Sequence, residues 1–173
     1  IDLSQTKLKQ IILSNITHIY TIILPETVTS LELGSKNQTN LVTSGGICLK
    51  HLKLYNVILS KLGSYTELIH LDIKSEYNTV FLPKTLQKLK SLKIDGDIYS
   101  VPAFEQLVQL TIVKRGEEVT MIIPNKMNKL TYLSLQNVNI INNVDALDMF
   151  SFGTKCAIYH PDDCHNLSKL KRL

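Results

Sequence analysis

One spacing recurs along this chain and limits what it can fold into: an apolar residue, two others, a second apolar residue, one more, and a third apolar residue. Copies begin at Leu8 (with Ile11, Leu13), Val28 (Leu31, Leu33), Leu49 (Leu52, Leu54), Leu68 (Leu71, Ile73), Leu89 (Leu92, Ile94), Leu107 (Leu110, Ile112) and Leu130 (Leu133, Leu135). Successive offsets are 20, 21, 19, 21, 18 and 23 residues. A unit this short cannot bury its apolar face alone, so such a period marks a repeat architecture in which neighbours stack and share one continuous core. Composition agrees: 27 Leu and 19 Ile stand against no Trp and 7 Gly, so the core must be aliphatic.

Two further registers follow the same beat. In three copies an Asn stands two residues after the last apolar position, followed by a β-branched residue: Asn15-Ile16, Asn56-Val57 and Asn137-Val138. An Asn there can turn the chain out of a strand and bond neighbouring backbone, although Gly96 and Lys114 at the same position predict a broken Asn ladder. The other register is an aliphatic run closed by Pro: Ile22-Ile23-Leu24-Pro25, Val80-Phe81-Leu82-Pro83 and Met121-Ile122-Ile123-Pro124. Each run is expected to form the buried inner side of the return path, with Pro where no ladder bond is lost.

The period also sets the geometry. A strand of four or five residues with two turns leaves about ten for the return, too few for a long helix and its connections. Extended segments or 3-10 turns are therefore expected there, with room for one helical turn after Pro83 and Pro124. Strands of successive copies must stack in parallel, because each copy returns to the same side.

The triplet with its following Asn resembles the pattern of the leucine-rich repeat family, in a short-period, divergent form, over roughly residues 8 to 141. The Asn falls one residue earlier than in the usual pattern. The resemblance implies an α/β-class, mostly β, right-handed solenoid. A curved parallel sheet would line its concave face, with short 3-10 or extended segments on the convex one. The whole chain, 1–173, reads as one such domain. A short N-terminal cap covers residues 1 to 6, repeats run from about 8 to 143, and a C-terminal cap occupies about 144 to 173. Within the cap, residues 145 to 150 have short helical character, and Ile158 can add a final strand.

If the triplets point inward, strand alternation sends the residues between them to the concave face. Three columns result: Gln10, Ser30, His51, His70, Ser91, Gln109, Tyr132; then Ile12, Glu32, Lys53, Asp72, Lys93, Thr111, Ser134; then Ser14, Gly34, Tyr55, Lys74, Asp95, Val113, Gln136. Glu32, Lys53, Asp72 and Lys93 would form a row of alternating sign across strands about 4.8 Å apart. Two readings stand side by side. The row pairs with itself, each exposed bridge contributing at most about 1 kcal/mol. Or Glu32, His51, Lys53, Tyr55, His70, Asp72, Lys74, Lys93, Asp95 and Tyr132 form a docking surface for a protein or peptide, with Tyr55 as its anchor.

The resemblance implies a non-catalytic protein-interaction module. The alternatives are a substrate-recognition or regulatory part of a larger enzyme complex, such as a ubiquitin-ligase adaptor or phosphatase regulator, or an extracellular recognition domain. A net charge of +4, from 19 basic and 15 acidic residues spread along the chain, falls short of the clustered basic face that nucleic acid requires. No apolar run approaches the roughly 18 residues of a membrane span, so no membrane insertion is expected. No Gly-rich phosphate loop or paired-carboxylate motif occurs, and Cys164 beside His165 lacks a base placed across a pocket, so no catalysis and no cofactor are expected.

His51 with His70 could hold a metal only with a third ligand beyond Asp72. Cys156, His160, Cys164 and His165 have no standard zinc spacing, and no metal is expected. Three cysteines at distant positions argue for a reducing, cytoplasmic setting, although a Cys156–Cys164 bridge in a secreted form stays open. The chain opens at Ile1 without a leader, as a trimmed or processed product would. Sequons at Asn15, Asn37 and Asn166 do not decide the matter, because 12 Asn with 27 Ser plus Thr produce about that number by chance.

Overall fold

The computed structural model describes residues 1–141 except 18, 78, 115–118, 123, 125, 126 and 128, together with 149–152 and 158–159. In chain order the strands are β1 (Gln10–Leu13), β2 (Thr21–Ile23), β3 (Ser30–Ser44), β4 (His51–Leu59), β5 (His70–Lys74), β6 (Ser91–Asp95), β7 (Gln109–Val113), β8 (Val119–Ile122), β9 (Tyr132–Gln136), β10 (Val138–Ile141), β11 (Met149–Phe152) and β12 (Ile158–Tyr159). A 3-10 turn at Leu62–Ser64 is the one helical element among the described residues. The last two residues of every triplet copy fall on a strand of the main sheet, whose order is β1-β3-β4-β5-β6-β7-β9-β11 with β2 joined to β3. A second sheet runs β12-β10-β8 on the return side. The strand pairings are all parallel, which makes the chain a β-solenoid.

The triplet explains the core residue by residue. In the turn built on β4, Leu49, Leu52, Leu54, Val57, Leu59 and Leu62 are all buried, and the equivalent positions of the neighbouring turns stack above and below them in one aliphatic column. Each fully buried aliphatic contributes roughly 1.5–3 kcal/mol of transfer free energy, which is why the pattern dictates the fold. The first triplet is the exception, with Leu13 only half-buried and Leu8 exposed. This copy lies on β1, at the end of the sheet order, and Leu8 is 44% exposed.

The entry to each strand repeats as well. A backbone bond of the i to i+3 type ends on the first residue of the triplet: Val28 N–H to Pro25 O, Leu49 to Gly46, Leu68 to Tyr65, Leu89 to Leu86, Leu107 to Phe104 and Leu130 to Met127. The helical turn expected after Pro83 thus takes the form of successive hydrogen-bonded turns, Pro83 to Leu86 and Leu86 to Leu89. One residue before each strand, a carbonyl accepts two N–H groups of the next turn; Lys50 O, for example, binds the N–H groups of Ile69 and His70, each at 2.9 Å.

The exit is where Asn matters. Asn15, Asn56 and Asn137 are the non-glycine residues with positive φ among the described residues, at 58°, 53° and 56°. Gly96, at the same place in its copy, has φ 152°. Left-handed backbone turns the chain off the sheet, and Asn and Gly are the residues that adopt it at least cost. The ladder is broken as expected. Asn56 Nδ2 reaches Ser35 O at 3.5 Å and Asn137 Nδ2 reaches Lys114 O at 3.1 Å, but between these copies the bonds are backbone ones, Ser75 N–H to Asp95 O and Gly96 N–H to Val113 O.

On the return side two of the Pro-closed runs, 22–24 and 80–82, alternate instead of being wholly buried; the side chains of 121–123 lie outside the described residues. Ile22 and Leu24 face in with Ile23 between them half-buried, while Val80 faces in and Phe81 is 81% exposed. Met149 and Phe150, expected in a short helix, instead form a strand paired with Tyr132 and Leu133, so the main sheet extends past β9. Ile158 does add a strand, paired with Ile140 on the return side.

Candidate functional site

The register of the main sheet sets the predicted columns side by side. Gln10, Ser30, His51, His70, Ser91, Gln109 and Tyr132 are successive partners, and so are Ile12, Glu32, Lys53, Asp72, Lys93, Thr111 and Ser134. Gly34, Tyr55, Lys74, Asp95, Val113 and Gln136 form the third line. Nine of the ten predicted site residues therefore lie on four adjacent strands, β3 to β6. Tyr132 does not join them: three strand spacings, about 14 Å, separate it from His70.

Side-chain geometry divides the patch. In the middle row Lys53 Nζ lies 3.5 Å from Glu32 Oε2 and Lys93 Nζ 4.0 Å from Asp72 Oδ2, so the alternating charges settle into two exposed pairs. Such pairs contribute little, because solvent screens them and two long side chains must be held still. In the third row the Lys74 ammonium stands over the Tyr55 ring, 4.9 Å from its centroid, a cation–π geometry that holds the ring upright on the sheet. Tyr55 OH donates to Glu76 Oε1 at 3.0 Å. These contacts leave Tyr55 37% exposed, a braced aromatic of the kind that anchors interfaces.

In the first row the His51 and His70 rings stack with centroids 4.7 Å apart and 8° between planes. Partial burial, then the positive charges of His51 and Lys90, hold the His70 imidazole below its ordinary range. Two stacked rings cannot aim their nitrogens at one metal. Among the described residues no group of three or more His, Cys, Asp or Glu is placed to hold a metal ion. Cys156, His160, Cys164, His165 and Asn166 lie outside the described residues.

Two shallow hollows of about 290 Å³ each lie on this face. One runs past Glu32, Lys53, Tyr55, Asp72, Lys74 and Asp95, the other past Ser30, His51, His70, Ser91 and Lys93. Sequence reasoning missed two features. Glu76, just beyond β5, receives Tyr55 OH and Asn56 Nδ2, and its own N–H donates to Asn56 Oδ1 at 2.9 Å, so it ties the patch to the turn below. The second is an apolar cavity of about 380 Å³ on the return side, lined by Val57, Ile58, Leu59, Leu62, Val80 and Phe81. It lies where Thr79–Phe81 is not paired with β4; Val80 N–H bonds Asp97 O of the following turn at 2.6 Å. No sequence signal marks that break, since Val80-Phe81-Leu82 reads like the runs that do form strands.

No helix among the described residues is long and apolar enough to cross a membrane. The chain matches no protein-family model, no curated protein and no solved structure.

Proposed function

We propose that this solenoid is a leucine-rich-repeat interaction module, non-catalytic, which binds a protein or peptide partner on the exposed face of its main sheet. The observation that carries the reading is the braced Tyr55, held by Lys74 and Glu76 beside an open hollow on four aligned strands. A parallel sheet in register offers side chains at fixed spacing along rows, which suits recognition of an extended surface. Charges in the patch nearly cancel, so the partner is a polar protein surface with complementary charges, not nucleic acid. An exposed thiol such as Cys48 persists in a reducing compartment, and we place the module in the cytoplasm.

The reading is tested with a photo-cross-linking residue at Lys53, and at Phe81 on the return side as control. Partners from native lysate should be trapped at Lys53. Tyr55→Ala with Lys74→Glu should cut that yield severalfold while the melting temperature moves by a few degrees at most, since both side chains are partly exposed. Equal trapping at the two positions, or a yield unchanged by the double substitution, would sink it.

A further inference from the structure

Charge is distributed unevenly across the main sheet, and the unevenness specifies the chemistry of what docks there. At the N-terminal ends of the strands the first column, with the residue before it in each turn, holds Lys9, Lys50, His51, His70 and Lys90 and no carboxylate. The opposite ends are mixed in sign: Lys74 stands beside Asp95 there, with Glu76, Asp97 and Lys114 just past the strands. The Lys positions are fixed by the fold, because the carbonyls of Lys9, Lys50 and Lys90 each accept two N–H groups of the next turn. Lys50, Lys90, His51 and His70 are all exposed. The hydroxyl-bearing Ser30 and Ser91 flank the imidazole pair along the same hollow.

We propose that this strip receives an acidic, carboxylate-bearing peptide segment of the partner, laid across the strands, and that protonation of the His51–His70 pair tightens its hold. The proposal rests on the docking role given above and specifies which edge of the sheet is used and what it binds. Charge complementarity argues for it: an extended acidic segment meets lysines at its flanks, imidazoles at its centre and no opposing carboxylate in either of the two lines it follows. A cationic or neutral segment gains nothing there.

The pH response follows from the stack. Two imidazoles 4.7 Å apart accept a first proton more readily than a second, because the second brings like charges face to face. The charged groups around the pair are Glu32 on β3, Lys53 on β4 with Lys50 before it, Asp72 on β5, and Lys93 on β6 with Lys90 before it. Glu32 and Asp72 lie within ion-pair reach of Lys53 and Lys93, and partial burial with the neighbouring His51 and Lys90 charges disfavours the charged form of His70. A bound carboxylate acts the other way and favours the imidazolium form. Affinity should therefore rise as pH falls through the imidazole range, in which peptide aspartates stay ionised.

The test is fluorescence anisotropy with a rhodamine-labelled deca-aspartate peptide, at about pH 7.5 and about pH 5.8, either side of the imidazole range. Binding at the lower pH should be tighter by about three- to tenfold, the scale of one or two exposed charge contacts. His51→Gln with His70→Gln should abolish that rise. Lys50→Glu with Lys90→Glu should weaken binding at both values by at least about tenfold. Circular dichroism confirms that each variant folds. The proposal is overturned if wild-type affinity is the same at both values, if the rise survives in the His variant, or if the Lys variant binds as wild type does. Loss of this proposal with Lys53 cross-linking intact would leave the docking face standing and remove its acidic ligand; loss of the cross-linking as well would remove both.

Discussion

Replacing Asn56 should separate two things the residue does at once. Its side chain is buried at 2% exposure, its Oδ1 accepts the Glu76 N–H at 2.9 Å, and its backbone sits at φ 53°. Asn56→Gly keeps the backbone easy and removes the acceptor, leaving a partly buried N–H short of its partner at a cost of about 1–2 kcal/mol. The Nδ2 contacts to Ser35 O and Glu76 Oε2, at 3.5 and 3.4 Å, are too long to add much. Asn56→Ala loses the same acceptor and also holds a Cβ in the left-handed region, a further cost of about 1 kcal/mol. Urea unfolding followed by circular dichroism should rank wild type above Gly above Ala, with Ala about 2–3 kcal/mol below wild type. Hydrogen exchange should show the Glu76 amide losing protection in both variants. If Gly and Ala prove equally stable, the left-handed turn is not what selects Asn. If the Glu76 amide stays protected, the side chain is not its acceptor.

Other substitutions test the packing. A Cβ at Gly45, where φ is 76°, would fall 2.2 Å from Leu24 O, whereas one at Gly34 meets nothing closer than 3.8 Å; by thermal melting, Gly45→Ala should cost more than about 2 kcal/mol and Gly34→Ala within about 0.5. Leu52→Ala, in the middle of the aliphatic column, should cost about 2–5 kcal/mol in urea, and Leu8→Ala at the end of the sheet under about 1. Equal losses at Leu52 and Leu8 would mean that position in the stack does not govern the core.

Much of the fold was legible because a repeat period of about 20 residues leaves few choices. Once Leu31, Leu52, Leu71 and Leu92 are recognised as equivalent, parallel stacking makes Glu32, Lys53, Asp72 and Lys93 neighbours, and the observed register agrees. The Asn positions were readable for a similar reason, since few residues turn a chain through positive φ cheaply. Residues at the ends were less legible: Leu8 follows the triplet yet is exposed at the end of the sheet order, and Met149 and Phe150 carry apolar side chains that suit helix or strand until β9 offers an edge.

The sequence alone therefore determined the repeat, the inward and outward faces, and which residues share a row, because all three depend on period and alternation. Only the tertiary structure decided what each row does with its side chains. Lys53 chose Glu32, Lys74 rose over Tyr55, and the His51 and His70 rings lay flat on one another, choices among rotamers a few ångströms apart that depend on several strands packed at once. The break beside β4, next to the apolar cavity at Phe81, belongs to the same class: Val80-Phe81-Leu82 has strand-forming residues yet does not pair with β4, while Val80 N–H bonds Asp97 O of the following turn.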